Sequence, residues 1–216
     1  PREDVHLRHL WGRDGLVDLF STAAGLESMV IGEREIAGQM RRAARTAWAD
    51  GTLSCDLGRA AERASATSRR VATETGLAGA GRSVVAVGLD MAAAHLQPWV
   101  DARVLIVGTG AYAGATVSAL NALGASDVSV YSTSGRAREF ARGRGIGWVD
   151  AAGLPSALER ADLVVTCRGL GSPVLTRNMA TQAGHTVVLD LALMRDAESS
   201  VSSLPNVTLI DLPTIQ

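Results

Sequence analysis

Apolar residues before position 98 recur at helical intervals. Leu16, Leu19, Phe20 and Ala23 lie three or four residues apart, a spacing that places them on one helix face. The same spacing returns in three later sets: Ile36, Met40, Ala44 and Ala47; Leu53, Leu57, Ala60, Ala64 and Val71; and Val84, Val87, Met91 and Ala94. The residue before a proline is disfavoured in helices, so Pro98 ends this pattern. Residues 1–98 are therefore predicted to form a mainly helical domain.

After residue 98 the pattern changes to short β-branched runs that alternate with helical stretches. The runs lie at 104–107, 128–131, 146–149, 163–165, 186–189 and 207–210. Strands that are apolar on both faces and alternate with helices are typical of a parallel sheet covered on both sides. The sequence predicts an α/β fold in which a Rossmann-like, doubly wound parallel sheet over residues 99–216 follows the helical domain.

Charge and composition exclude several classes of chemistry. The chain has 21 basic and 22 acidic residues, so no net field draws the whole protein to nucleic acid or anionic lipid. All the basic residues are arginine. Without lysine, Schiff-base and pyridoxal chemistry, the Walker phosphate loop and the Tyr-Lys pair of short-chain dehydrogenases are excluded.

The cysteine count and the hydropathy indicate the cellular compartment to expect for the protein. Cys55 and Cys167 lie far apart without partners at metal spacing, so neither a metal site nor a disulfide framework is expected. No stretch approaches the roughly 18 apolar residues that span a bilayer, and the charged start lacks a signal-peptide core. A cytoplasmic protein is predicted, and the start at Pro1 suggests a fragment.

A glycine-rich turn directly follows the first predicted strand. Gly108 permits the tight turn, Gly110 permits a pyrophosphate to approach the backbone, and Ala113 keeps helix and strand close. The predicted cofactor contacts of this turn are Gly108, Thr109, Gly110, Ala111, Tyr112 and Ala113. In the alternative interpretation these glycines serve only the turn.

The end of the second predicted strand lacks the acid that holds the ribose of NAD. Ser132, Thr133 and Ser134 stand there instead, followed by Arg136 and Arg138. Hydroxyls and guanidinium groups suit a 2′-phosphate, which a carboxylate would repel. This predicts NADPH as the cofactor, and the alternative is a solvated loop with ordinary surface arginines.

Two further strands end at the same expected sheet edge. Thr166 and Cys167 follow the fourth run, where Cys167 could face the nicotinamide. A cysteine that ends a buried strand is more often a small core residue. Asp190 ends the fifth run and is either a site residue or a helix cap.

Several motifs in order resemble the glutamyl-tRNA reductases. Residues 19–33 read LFSTAAGLESMVIGE and precede Gly38-Gln39, while residues 188–192 read VLDLA near the end of the chain. The resemblance implies a V-shaped homodimer that reduces glutamyl-tRNA with NADPH to glutamate-1-semialdehyde, in tetrapyrrole (porphyrin) biosynthesis. It further implies a cysteine thiolate that attacks the ester and, as a possible partner, glutamate-1-semialdehyde aminomutase.

The resemblance also assigns substrate contacts and exposes departures. Ser28, Glu33 and Gln39 match positions that contact the glutamyl group, and Arg34-Glu35 replaces a Pro-Gln pair. Asp18 stands where the family usually has histidine. The family's nucleophile lies in a Thr-Cys-Asn-Arg turn upstream of all these motifs, and its dimerisation domain follows them. We therefore expect the 216-residue chain alone to be inactive, with Cys167 as the only rival nucleophile.

Three arginines at helical spacing form a further candidate binding surface. Arg59, Arg63 and Arg70 share a helix face that could contact tRNA phosphates, although a solvated face is the commoner explanation.

One alternative function is a non-catalytic NADP(H)-binding paralogue, favoured by the departure at Asp18. The other is a shikimate-dehydrogenase-like oxidoreductase, which the missing lysine disfavours.

Overall fold

The computed structural model describes residues 8–27, 35–75 and 83–215. They belong to two compact units, Pro1–Ser83 and Val84–Gln216.

The first unit is built from helices in its described residues. They are α1 (Gly12–Ala23), α2 (Glu35–Ala49) and α3 (Cys55–Glu74). Helices α1 and α2 both pack against α3, whose buried positions include the small residues Ala64, Ser65 and Ser68. The Ser54 side chain accepts a hydrogen bond from the Leu57 N–H at 3.3 Å and caps α3, which satisfies a donor that the first turn leaves free.

The second unit alternates strands and helices after an initial helix, α4 (Val84–Ala93). The strands are β1 (Arg103–Val107), β2 (Asp127–Tyr131), β3 (Gly147–Val149), β4 (Leu163–Thr166), β5 (Thr186–Asp190) and β6 (Val207–Asp211). The helices are α5 (Ala111–Ala122), α6 (Ala137–Arg142), α7 (Leu154–Arg160), α8 (Arg177–Thr181) and α9 (Leu212–Ile215), with a 3₁₀ turn at Ser199–Ser203.

All six strands are parallel and lie in the order β3-β2-β1-β4-β5-β6. The predicted Rossmann-like doubly wound sheet is confirmed. The chain reverses its direction across the sheet between β3 and β4, so a crevice opens beyond the carboxyl ends of β1 and β4. Dinucleotides bind at this switch point in such sheets.

The core runs through the central strands. Leu105, Val164 and Val188 are almost fully buried and share one apolar cluster with Leu158 of α7. Burying a side chain of this size is worth about 1.5–3 kcal/mol. At the opposite edge of the sheet from the crevice, Arg103 binds Asp162 through its side chain at 2.9 and 3.0 Å and through its backbone N–H at 2.9 Å. These bonds tie the start of β1 to the start of β4.

The division between the units lies between Ser83 and Val84, earlier than the boundary at residue 98 expected from the sequence. Helix α4 packs against β5 and α5, and a side chain on Gly88 would come within 2.7 Å of Leu189. The helical spacing in the sequence predicts that α4 is a helix. It does not show that this helix packs on the sheet of the second unit.

Candidate functional site

The glycine turn after β1 is closed against its neighbours at Gly108. Its N–H donates to the Tyr131 carbonyl at 2.9 Å, joining the ends of β1 and β2. Its φ of +134° favours glycine. A Cβ built at this position would lie 2.9 Å from the Cys167 Sγ. Conformation and space therefore both require glycine here.

The same turn is open two residues later. No atom lies within 4 Å of the point where a Cβ on Gly110 would stand, and Gly110 is the N-cap of α5. The Thr109 hydroxyl is buried without a hydrogen-bond partner in the described structure. Beyond it, Ala111 and Tyr112 form the first turn of α5 and Ala113 is fully buried. An open space, a free hydroxyl and a helix N-terminus together fit a pyrophosphate group.

The loop after β2 gathers hydroxyl groups. The Ser132 and Ser134 oxygens lie 2.9 Å apart, and Arg136 Nε donates to the Ser134 oxygen at 2.9 Å. Arg138, which the sequence grouped with Arg136, instead lies over the Trp148 ring at 5.8 Å from its centre. The structure therefore brings one of the two arginines to the serines.

Arg168 joins this loop from the other side of β1, and no sequence pattern had marked it as a site residue. Its Nη1 donates to the Thr133 hydroxyl at 3.2 Å, and its Nη2 donates to the Ser172 carbonyl at 2.6 Å. Its Nε lies 3.6 Å from Asp196 Oδ1 and has no hydrogen-bond partner in the described structure. The one available signal was an arginine immediately beyond a predicted strand at the ligand-facing edge.

Asp196 fixes the backbone that carries Arg168. Its side chain is fully buried and accepts hydrogen bonds from the N–H groups of Arg168 and Gly169. The loops after β4 and β5 are thereby held together. No role at the site was predicted for this aspartate.

Asp190 is a structural anchor at the end of β5. It accepts hydrogen bonds from the Thr166 hydroxyl at 2.8 Å and from the N–H groups of Ala192, Asp196 and Ala197 at 3.0–3.1 Å. Burial raises the pKa of Asp190, the hydrogen bonds oppose this effect, and the charge of Asp196 adds to it. Asp190 thus shapes the loop after β5 and caps none of the described helices.

Cys167 is buried beside the glycine turn, and its thiol donates to the Val107 carbonyl at 3.5 Å. Burial, with the negative charges of Asp196 and Asp190, raises the pKa of Cys167 to about 12. Because the thiolate is the nucleophilic form, this environment opposes a catalytic role. The neighbouring Thr166 hydroxyl is committed to Asp190.

The predicted substrate residues belong to the first unit. Asp18 forms an ion pair with Arg8, and Gln39 lies half-buried on α2. Ser28, Glu33 and Arg34 lie outside the described residues, as does the side chain of Glu35.

Two arginines of the predicted stripe form local ion pairs. Arg59 binds Asp56 at 2.5 Å and Arg70 binds Glu74 at 3.2 Å. Within the described ranges, no cluster of histidine, cysteine and acidic side chains could hold a metal ion. In the same ranges, no helix is long and apolar enough to cross a membrane.

Comparison with known proteins places both units. The family model described as "Glutamyl-tRNAGlu reductase, N-terminal domain" matches residues 3–75. Glutamyl-tRNA reductase of Cutibacterium acnes is 48% identical over 210 residues, which cover 94% of this chain and 46% of that protein. The chain belongs to the glutamyl-tRNA reductase family. The second unit of this family member also belongs to the family described as "Shikimate / quinate 5-dehydrogenase", whose model matches residues 90–216.

Two further relatives support the same assignment. Glutamyl-tRNA reductase of Kocuria rhizophila is 46% identical over 199 residues, covering 92% of this chain and 45% of that protein. The solved structure of glutamyl-tRNA reductase from Methanopyrus kandleri has a TM-score of 0.58 and 29% identity, covering 94% of this chain and 53% of that one. This chain thus spans about half the length of the reductases that it matches, and its second unit is of the dehydrogenase type.

Proposed function

We propose that this chain is part of an NADPH-dependent glutamyl-tRNA reductase, which forms glutamate-1-semialdehyde for tetrapyrrole biosynthesis. The observation that carries the proposal is the open glycine turn at the switch point of the sheet, in a chain whose first unit matches the reductase N-terminal domain. The turn is the proposed cofactor site, and the substrate is inferred from the family match.

Two groups of residues would hold the cofactor. Thr109 and Gly110 offer a free hydroxyl and open space to the pyrophosphate. Ser132, Thr133 and Ser134 would hold the 2′-phosphate with Arg136 and Arg168, since both guanidinium groups already donate to hydroxyls of this loop. Bound NADPH would supply the hydride that reduces the substrate. The guanidinium groups favour NADPH over NADH because charge-assisted bonds to phosphate are strong.

The substrate residues follow the family resemblance. We propose that Ser28, Glu33 and Gln39 position the glutamyl group, with Arg34 and Glu35 beside them. Asp18 occupies the family's histidine position and is paired with Arg8. An ionised carboxylate only accepts hydrogen bonds, whereas neutral imidazole donates and accepts. Asp18 therefore supports, as a second candidate function, a paralogue that binds NADP(H) without chemistry.

The covalent step requires a thiolate to take the glutamyl group from the tRNA ester. Cys167 is opposed by its burial and its raised pKa, and exposed Cys55 lies on α3 of the first unit. We propose that neither cysteine is the nucleophile. This role belongs to the family's Thr-Cys-Asn-Arg turn, a sequence not found among the 216 residues. Homodimerisation, a cytoplasmic location and contact with the aminomutase stay predictions.

The deciding experiment measures semialdehyde formation from glutamyl-tRNA and NADPH by three proteins. They are the 216-residue chain, its Cys167→Ser variant, and a form extended upstream with the Thr-Cys-Asn-Arg turn. We expect activity only in the extended form. Activity of the short chain that disappears in Cys167→Ser would instead make Cys167 the catalyst. An extended form that binds NADPH but forms no product would support the non-catalytic paralogue.

A further inference from the structure

A groove of about 750 Å³ lies between α2 and α3 in the first unit. Pockets of about 300–1,000 Å³ are typical of ligand sites. The charged and aromatic residues that line it are Arg41, Arg45, Trp48, Arg59, Glu62 and Arg69. The arginine stripe expected from helical spacing is not the lining set, because Arg63 and Arg70 of that stripe do not line the groove.

The groove is strongly cationic. Four arginines and one acidic residue, Glu62, line it. Arg59 is paired with Asp56 outside the lining, whereas no ion pair holds Arg41, Arg45 or Arg69 within the described part of the chain. Arg41 and Arg45 are one helical turn apart, which puts them side by side on α2. These cations are available to an anionic ligand that follows the groove.

An aromatic surface stands among these cations. Trp48 is 59% exposed, which is unusual for so large an apolar side chain. It lies beside Gly58, where a Cβ would be 3.9 Å from the indole and 3.5 Å from Leu53. The absence of a side chain at Gly58 leaves the indole edge and Leu53 as an apolar wall. The groove therefore offers flat apolar surface and positive charge together.

We propose that this groove binds a single-stranded segment of RNA, with its phosphates on the arginines and a base stacked on Trp48. Cationic grooves with aromatic platforms bind single strands because every base has a flat face and every linkage a charge. The inference rests on the proposed function, whose tRNA substrate brings an RNA strand to this unit.

The test titrates the 216-residue chain with a fluorescently labelled oligoadenylate of about eight nucleotides, followed by anisotropy over a range of salt concentrations. The variants Arg45→Gln and Arg69→Gln should each weaken binding several-fold and lower the slope of log K against log salt by about 0.7. Arg63→Gln is the matched control, since Arg63 lies on α3 outside the groove lining. It should leave both affinity and slope near those of the parent chain.

Variants at Trp48 distinguish the contribution of base stacking to binding from that of charge. Trp48→Ala should weaken binding about tenfold at every salt concentration with the slope unchanged, since stacking is worth about 1–3 kcal/mol per base. Trp48→Phe should retain most of the affinity because it keeps an aromatic face. Equal losses in Arg63→Gln and Arg69→Gln, or equal affinity for a duplex RNA, would overturn the groove as a single-strand site.

Two competition arms identify the source of the nucleotide. AMP and inorganic phosphate should compete only weakly, whereas unlabelled tRNA should compete fully. Full displacement by AMP would instead make the groove a mononucleotide site and overturn the RNA proposal. Semialdehyde formation by the extended enzyme is measured separately. If the extended enzyme is active but the groove variants bind RNA normally, only the proposed RNA site in the groove is wrong. If the groove binds RNA but the extended enzyme forms no product, only the proposed function is wrong.

Discussion

The Sγ atom of Cys167 lies 2.9 Å from the point where a side chain on Gly108 would begin. The end of β4 is thus packed directly beneath the turn that follows β1. Any side chain at Gly108 must displace this sulfur and also adopt a positive φ.

Gly108→Ala should therefore destabilise the chain by about 1–3 kcal/mol. Urea unfolding measures the loss. Gly124→Ala separates the two causes, since Gly124 also has a positive φ, +83°, but open space around its Cβ position. It should cost less than Gly108→Ala. The double variant Gly108→Ala/Cys167→Ala should lose less than the sum of the single variants, because the sulfur is gone. Strict additivity would contradict the clash.

Gly110→Val should fold normally and lose cofactor binding. A Cβ at this position meets no atom of the described residues within 4 Å, and the valine side chain occupies the space assigned to the pyrophosphate. Calorimetric titration with NADPH should show affinity reduced at least tenfold with an unchanged Tm. Gly143→Val, at the equally open end of α6, should leave affinity unchanged. Retained affinity in Gly110→Val would remove the proposed pyrophosphate site.

NADPH should bind more tightly than NADH, by a factor of at least several. A charge-assisted hydrogen bond is worth about 1.5–3 kcal/mol, so Arg136→Gln and Arg168→Gln should each weaken NADPH binding about tenfold or more. Neither should change NADH binding to the same extent. Arg138→Gln is the control, because Arg138 lies over Trp148. If Arg168→Gln weakens the binding of both cofactors equally and lowers the Tm, the role of Arg168 is only to hold the loops together.

Cys167 should resist alkylation in the folded chain. Its pKa of about 12 leaves a thiolate fraction of about 10⁻⁴ at pH 8, since each pH unit is a factor of ten. Iodoacetamide at that pH should modify exposed Cys55 and leave Cys167 intact, as read by peptide mass spectrometry. Both should react in urea. Comparable rates for the two thiols in the native chain would show that Cys167 is reactive after all.

Asp162 should make stability depend on acid pH. Hydrogen bonds from Arg103 lower the pKa of Asp162 against an opposing effect of burial. A lowered pKa adds stability above the unfolded value of about 3.9, and this stability is lost as pH falls through the folded value. Asp162→Asn should thus be less stable than the parent chain at pH 7, with the difference shrinking below pH 4. Asp101→Asn, on an exposed turn, should show no such trend in urea unfolding.

Regular structure was predictable because it is encoded by local spacing. The short strand β3, Gly147–Val149, lies within the run predicted at 146–149. Arg168 and Asp196 were not found as a pair, since their contact spans 28 positions and depends on two loops that meet only in the folded sheet. Helical spacing likewise grouped Arg59 with Arg63, whereas the packing of α2 decides which arginines line the groove.

The sheet order has a kinetic consequence for the cofactor site. The Cys167 thiol and the Val107 carbonyl that it meets are 60 positions apart in the chain, and β4 reaches β1 only after the reversal at β3. Contacts between distant positions form slowly because a long loop must close first. The crevice should thus be among the last features to assemble, and recovery of dinucleotide affinity during refolding should lag behind recovery of helix circular dichroism.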